Sequence, residues 1–315
     1  MEQQQYRVSS SPHFRSTESV SGIMRDVVIA LLPATAAGIY FFGFSALITV
    51  LLSVGAAVAT EYFIQRYMRK IPSTIGDFSA VVTGLLLALN LPASVPWFIP
   101  VIGSVFAIAI VKQAFGGLGF NFMNPALAAR AFLMASWPTD MTTWAVPRAV
   151  DGITGPTALG ILKEGLPDKL PSAMDALIGN VGGCIGETSA LLLILGGLYL
   201  VWRGVIDIRI PAVYIATTFV ILFVFNGFDI QVAFLHVLIG GLMLGAFFMA
   251  TDYSSTPVNF RGQIIFAFGA GLLTAIIRQF GGYPEGVSYS ILLMNVATPL
   301  IEKYSKSRVF GGGKK

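Results

Sequence analysis

The residues most able to do chemistry in this chain lie in polar interruptions of a mostly apolar sequence. The string DGITGPTAL, residues 151–159, puts the hydroxyl of Thr157 among Gly155, Pro156 and Gly160, a setting that no helix core would choose. Glycine and proline on both sides favour an extended, exposed backbone that another protein can grip. Such a hydroxyl can serve as the oxygen of a phosphoester, with Asp151 six residues upstream available to help a metal-dependent transferase dock. An ordinary turn explains the same composition.

Acidic side chains in apolar surroundings form a second set, because an unpaired charge there costs about 2.5 kcal/mol or more. Glu187 in GETS, Asp252 in MATD, Asp77 in GDFS and Glu61 sit at or just within the ends of apolar runs. Glu187, Asp252 and Asp77 are the ion-path candidates, and Glu187 and Asp252 lie next to hydroxyl residues that suit a cation in transit. Capping of broken helix ends is the other reading, and Asp77 and Asp252 fit it well. Arg130 and Arg278 stand near two similar Gly-Gly turns and can pair with such acids. His236, in the apolar run LHVLIGG, reads as a hydrogen-bonded packing residue. Asn124, directly before Pro125, reads as a helix N-cap with proline at the first helical position.

These groups must be positioned by a chain of 315 residues that is 55% hydrophobic and 11% charged, with a mean hydropathy of +0.75. A soluble chain carries about 25% charged residues over its cores, so lipid has to replace the missing charge. The composition therefore reads as an all-α integral membrane protein. The net charge of +4 sits in short basic segments beside apolar runs, which argues against a nucleic-acid partner and reports topology instead. The single cysteine, Cys184, excludes an internal disulfide. It also excludes an iron–sulfur cluster held by this chain's cysteines alone, so a redox cofactor held here is expected to be organic. The first twenty residues lack the apolar run and cleavage site of a signal peptide, and insertion is expected to rely on the first membrane helix.

Measured against the roughly 20 residues needed to span a bilayer, apolar segments occur at 27–43, 45–64, 79–91, 97–112, 124–137, 188–202, 210–226, 231–250, 263–280 and 287–301, ten in all. The segments 79–91 and 124–137 are too short to cross comfortably alone, which is the look of helices broken at mid-membrane. The string IVKQAFGG (110–117) recurs as AIIRQFGG (275–282), and MNPAL (123–127) has a looser echo in MNVATPL (294–300). With five helices per half the copies face opposite ways, giving two inverted five-helix repeats whose interface is the usual place for cofactors or substrates. The expected division is a cytoplasmic segment 1–26, a first repeat 27–137, an extracytoplasmic loop 138–187, a second repeat 188–302 and a basic tail 303–315. Fifteen of the twenty basic residues fall on one side of this arrangement, while Arg148, Lys163 and Lys169 lie in the loop 138–187. Both termini are thus expected in the cytoplasm and Thr157 outside it.

DGITGPTAL is similar to the flavin-attachment motif, an acidic residue followed by Ser/Thr-Gly-Ala-Thr, of membrane subunits of the Rnf ferredoxin:NAD and sodium-pumping NADH:quinone oxidoreductase complexes. The strings GDFSAVVTGLLLALNLP (76–92), KQAFGGLGFNFMNPALAARAFL (112–133), GCIGETSALLLILGG (183–197), GGLMLGAFFMATD (240–252) and IRQFGGYPEGVSYSILLMN (277–295) resemble the same family across nearly the whole chain. The short N-terminus resembles the Rnf branch, since the quinone branch usually carries a longer extension. Pro156 stands where the family has alanine, and it restricts the backbone directly before Thr157.

The resemblance implies FMN bound through its phosphate to Thr157, installed by a flavin transferase that consumes FAD, with Asp151 and Gly155 in the motif. It implies a second, noncovalent flavin, riboflavin, nearer the cytoplasm, with Asn121 and Asn124 at the matching positions. Asparagine amides both donate and accept without adding charge, which suits the polar edge of a flavin ring. The implied function is that of an electron carrier in a bacterial cytoplasmic membrane, one component of a complex coupled to Na+ or H+ translocation between ferredoxin and NAD. The implied partners are a second FMN-bearing subunit, iron–sulfur membrane subunits, an NAD-reducing subunit, the flavin transferase and the lipid bilayer. Two alternatives stand beside it: the B subunit of a sodium-translocating NADH:quinone reductase, and a small-solute channel or transporter suggested by the repeat and broken helices alone.

Overall fold

The computed structural model describes residues 18–145, 147, 155–164, 170–283 and 285–305, and among these every regular element is helical. Helix α1 (Val20–Phe42) begins where Ser19 Oγ accepts the Gly22 N–H at 3.1 Å. It stops at Gly43, whose φ of 70° is open to glycine at little cost and turns the chain straight into α2 (Phe44–Phe63). A π-turn, Ile64–Met68, extends α2. Then come α3 (Ser79–Leu89), α4 (Phe98–Val105, continued as a π-helix over Phe106–Gln113), α5 (Pro125–Ser136) and the short α6 (Pro138–Met141). The segment expected as an extracytoplasmic loop carries α7 (Ala158–Glu164) and α8 (Ala173–Ile178). The chain continues as α9 (Ala190–Trp202), α10 (Arg209–Phe225), α11 (Ile230–Leu238), α12 (Leu242–Leu244, continued as a π-turn over Gly245–Met249), α13 (Phe260–Phe280) and α14 (Val287–Ser305).

Each apolar segment of the sequence coincides with helix. Among the described residues, Val20–Phe42, Phe44–Met68 and Phe260–Phe280 are long and apolar enough to cross a membrane. The pair α11 and α12, bent by 61° at a break, makes a fourth if counted as one span. As their sequences suggested, α3 and α5 are short, 11 and 12 residues. At 1.5 Å per residue they rise only about 17–18 Å, against a hydrocarbon core of about 30 Å.

Some neighbour relations of the earlier helices recur among the later ones. Helix α2 packs on α3 and α4, and α4 on α5; α10 packs on α11 and α13, and α13 on α14. The first helices of the two sets, α1 and α9, meet, as do the last, α5 and α14. Small residues allow the closest approaches: a Cβ on Gly196 would lie 2.3 Å from the Ala30 carbonyl oxygen, and one on Gly84 2.8 Å from Val54 Cα.

Two details of the expected repeat need correction. KQAFGG is one residue longer than RQFGG, and α4 accommodates the surplus in its π-helical stretch, where α13 is regular. Lys112 lies in the last turn of the α4 π-stretch and Arg278 in the last turn of α13, each just before its Gly-Gly pair, while Arg130 lies in α5. The looser echo is not positional, because MNPAL opens α5 whereas MNVATPL lies late within α14.

Candidate functional site

A cavity of about 400 Å³ lies between the first turns of α1, α3 and α5 and the last turns of α9 and α12. Its walls are apolar, with Val27, Leu86, Leu200, Phe247 and Phe248, and carry a few polar groups: Ser79, Lys112, Asn121, Asn124 and Asp252. That balance of size, apolar lining and sparse polar groups is typical of an organic-ligand site.

Each polar group is held by local structure. Asn124 Oδ1 accepts from the N–H groups of Ala126 (3.0 Å) and Leu127 (3.3 Å), capping α5 ahead of Pro125, and its Nδ2 donates to the Met249 carbonyl at 3.4 Å. Asn121 Nδ2 donates to the Met123 carbonyl (3.1 Å) and to Asp252 Oδ2 (3.4 Å). In the turn after α12, Asp252 also accepts from Ser254 Oγ (3.1 Å) and Ser255 Oγ (2.8 Å). Burial pushes the Asp252 carboxyl above the ordinary carboxylate range, and the bonds from Ser255, Ser254 and Asn121 pull against that rise. Three residues singled out in the sequence, Asn121, Asn124 and Asp252, thus share one cavity.

Behind the wall lies a buried charge network that the sequence did not reveal. Lys112 Nζ donates to Glu61 Oε2 (2.8 Å), Glu61 Oε1 (3.0 Å) and Ser79 Oγ (2.6 Å), and the two charged side chains are 2% and 1% exposed. Gln65 and Gln113 add amide donors to Glu61 Oε1 at 3.1 and 3.0 Å. Ser79 Oγ in turn donates to Asp77 Oδ1 at 2.5 Å, and the Ser79 N–H donates to the same oxygen at 2.8 Å. Asp77, one residue before the N-cap Phe78, accepts the first N–H of α3 and does not itself line the cavity, which Ser79 does. The available signal was two opposite charges, Glu61 and Lys112, each inside an apolar run; in the sequence, Lys112 reads only as a marker of sidedness.

A second site lies at the other end of α12. Thr157, expected on an open strand of loop, is 8% exposed, and its Oγ1 accepts the Gly160 N–H at 3.0 Å as the cap of α7. Two contacts explain the difference. Gly155 N–H donates to the Trp144 carbonyl at 3.1 Å, and Leu159 seats against Gly240, where a Cβ would come 2.0 Å from Leu159 Cδ1. Thr157 lines a small cavity with Val181, Glu187, Ile239, Gly240 and Glu285. Asp151 lies outside the described residues. Glu187 belongs to this end, where its Oε2 accepts the Cys184 N–H at 3.3 Å. Glu187 and Asp252 are therefore parts of two separate sites.

The α11–α12 break is closed by Arg278. Its guanidinium donates to the carbonyls of Ile239 (3.2 Å), Gly240 (2.9 Å) and His236, and its Nε donates to the Glu285 carbonyl at 3.3 Å. This satisfies the carbonyls that the broken helix leaves free. His236 departs from the expected hydrogen-bonded role, since its ring Nδ1 meets no partner among the described residues. Arg130 forms an ion pair with Glu285 and donates to Asn90 Oδ1 (3.0 Å), Ser288 Oγ (3.1 Å) and Cys184 Sγ (3.4 Å). From this break to Met249, beside Asn124, α12 and its π-turn cover eight residues, Leu242–Met249. That is about 12 Å at helical rise.

Comparison with known proteins gives the site a context. The model described as "NQR2, RnfD, RnfE family" matches residues 7–311. The chain is 56% identical over 306 residues to the D subunit of the Na(+)-translocating ferredoxin:NAD(+) oxidoreductase complex of Acetobacterium woodii, covering 96% of this chain and 95% of that one. It is 48% identical over 320 residues to the D subunit of the proton-translocating ferredoxin:NAD(+) oxidoreductase complex of Clostridium ljungdahlii, covering 97% and 96%. To the D subunit of the ion-translocating oxidoreductase complex of Halorhodospira halophila it is 37% identical over 337 residues, covering 96% and 94%.

Proposed function

The chain belongs to the NQR2, RnfD, RnfE family, and from that premise we propose that it is the membrane electron carrier, the D subunit, of an Rnf-type, ion-translocating ferredoxin:NAD oxidoreductase. On this reading it is a ten-helix protein of the bacterial cytoplasmic membrane, built as two inverted five-helix repeats, with both termini in the cytoplasm and Thr157 outside. FMN is joined through its phosphate to the Thr157 hydroxyl by a flavin transferase, and riboflavin sits in the inner cavity. The partners are the other Rnf-type subunits: a second FMN-bearing subunit, iron–sulfur membrane subunits and an NAD-reducing subunit. The translocated ion is Na+ or H+, the two ions named in its relatives.

The observation that carries the proposal is that the two sites lie at opposite ends of one short segment, α12 and its π-turn, eight residues or about 12 Å of helix long. The inner cavity suits a flavin: its apolar walls match the ring faces, and the Asn121 amide oxygen and the Asp252 carboxylate, whose Oδ2 already accepts the Asn121 amide, leave acceptors for the polar ring edge. When bound, flavins supply electron transfer in one-electron steps. The chain's own part is to hold the two rings, exclude water between them and fix the polar groups at the cavity wall. At Thr157 the hydroxyl is present but enclosed, so attachment requires α7 to be displaced from Gly240.

The test is intact mass of the chain coexpressed with its transferase. The wild type is expected to carry the mass of one phosphoester-linked FMN, and Thr157→Val, which keeps the shape and removes the hydroxyl, is expected to carry none. Flavin still attached in Thr157→Val would overturn the covalent site. A wild-type chain with neither attached nor dissociable flavin would return the small-solute transporter.

A further inference from the structure

We propose that Lys112 is a positioning charge for the inner cavity: its ammonium is the positive end of a buried ion pair whose negative end, Glu61, lies away from the cavity, and it stabilises the charge that an electron brings to the ring bound there. The inference rests on the flavin reading of that cavity. Lys112 lines the cavity and Glu61 does not. Among the described lining residues Lys112 is the sole base and Asp252 the sole acid. Lys112 cannot swing away, since its ammonium is fixed by Glu61 Oε1, Glu61 Oε2 and Ser79 Oγ, and Glu61 is fixed further by the amides of Gln65 and Gln113.

Stability alone gives little reason for this arrangement. A buried pair of well-packed apolar residues is often as stable as a buried ion pair, because two charges must be desolvated to make the latter. The contrast with the other half sharpens the point. Arg278, in the last turn of α13, directs its donors at the carbonyls of a helix break, whereas the Lys112 ammonium reaches no backbone carbonyl among the described residues, and Lys112 lines a cavity.

In the step concerned, one electron leaves the flavin tethered at Thr157 and enters the ring in the cavity. The electron alone would take one negative charge from the donor and add one to the acceptor. Coulomb attraction to the nearby ammonium favours the charged ring, and Glu61 on the far side weakens that attraction without cancelling it.

Opposite signs make the proposal testable. In the purified complex, the noncovalent flavin is titrated spectroelectrochemically in wild type, Lys112→Gln and Glu61→Gln. Lys112→Gln is expected to shift the reduced-to-oxidised ratio of that flavin at least tenfold toward oxidised, about 59 mV for a one-electron couple. Glu61→Gln, which keeps the cation and removes its counter-charge, is expected to shift it toward reduced. Shifts of the same sign, or no shift in either variant with flavin retained, would overturn the role of Lys112. Should Lys112→Gln fail to assemble, Glu61→Gln decides by itself, and the absence of a shift toward reduced overturns the proposal. A wild-type complex without noncovalent flavin would instead remove the flavin reading on which the proposal stands, and that is determined before any variant is made.

Discussion

Asn124 commits its side-chain oxygen to the first turn of α5, while Asn121 carries no such duty, so two residues that look alike in GFNFMNPA are separable by experiment. Asn121→Leu is expected to lower the content of noncovalent flavin while leaving thermal stability near wild type. Asn124→Ala is expected to destabilise the chain by about 1 kcal/mol, the usual cost of losing a helix cap. Flavin content and unfolding temperature, measured on both, check the division; equal loss of stability in the two would count against it. The cap was legible because Asn-Pro is a local signal. The Lys112–Glu61 pair was not, because its partners are 51 positions apart, and alone Lys112 looks like a topology marker and Glu61 like an acid at a helix end. The enclosure of Thr157 was hidden for the same reason, since it depends on Leu159 meeting Gly240, a contact that no reading of nine consecutive residues contains.

Helix α12 and the break before it tie the two sites together. Gly240 has a φ of 72°, and a Cβ there would meet Leu159 Cδ1 at 2.0 Å. Gly240→Ala is therefore strained in its own backbone and also pushes α7 from its seat, at a cost of about 1–3 kcal/mol. With native Cys184 replaced, a cysteine at position 159 is expected to react with an impermeant thiol reagent several-fold faster in Gly240→Ala than in its parent. Unchanged reactivity would mean that α7 is not held by this contact. The sequence displayed the shortness of α3 and α5 through their prolines, while the break in the eighth apolar run, 231–250, went unread. It carried no sign of the π-turns, whose hydrogen-bond shift has no residue-type signature of its own.

At the scale of the whole molecule, composition alone was enough to recognise a membrane protein, and the charge bias was enough to propose a sidedness. A cysteine at position 163 in a chain lacking Cys184 is expected to react with an impermeant reagent from outside the cell, and one at position 306 is not. The reverse pattern, or equal labelling, would overturn the orientation. The close approach of α1 and α9 at Gly196 brings the two halves into contact at their first helices, so the sites at either end of α12 belong to one body. The cap on α7 then has a consequence for biogenesis. The Thr157 oxygen that would carry the phosphoester already accepts the Gly160 N–H, in a space with no room for a phosphate. On the proposed reading, seating of α7 and attachment of the nucleotide compete for the space around that atom. On the proposed attachment at Thr157, maturation would acquire an order: a transferase would have to reach the segment before α7 closes, and a chain that folds first would be left without its cargo.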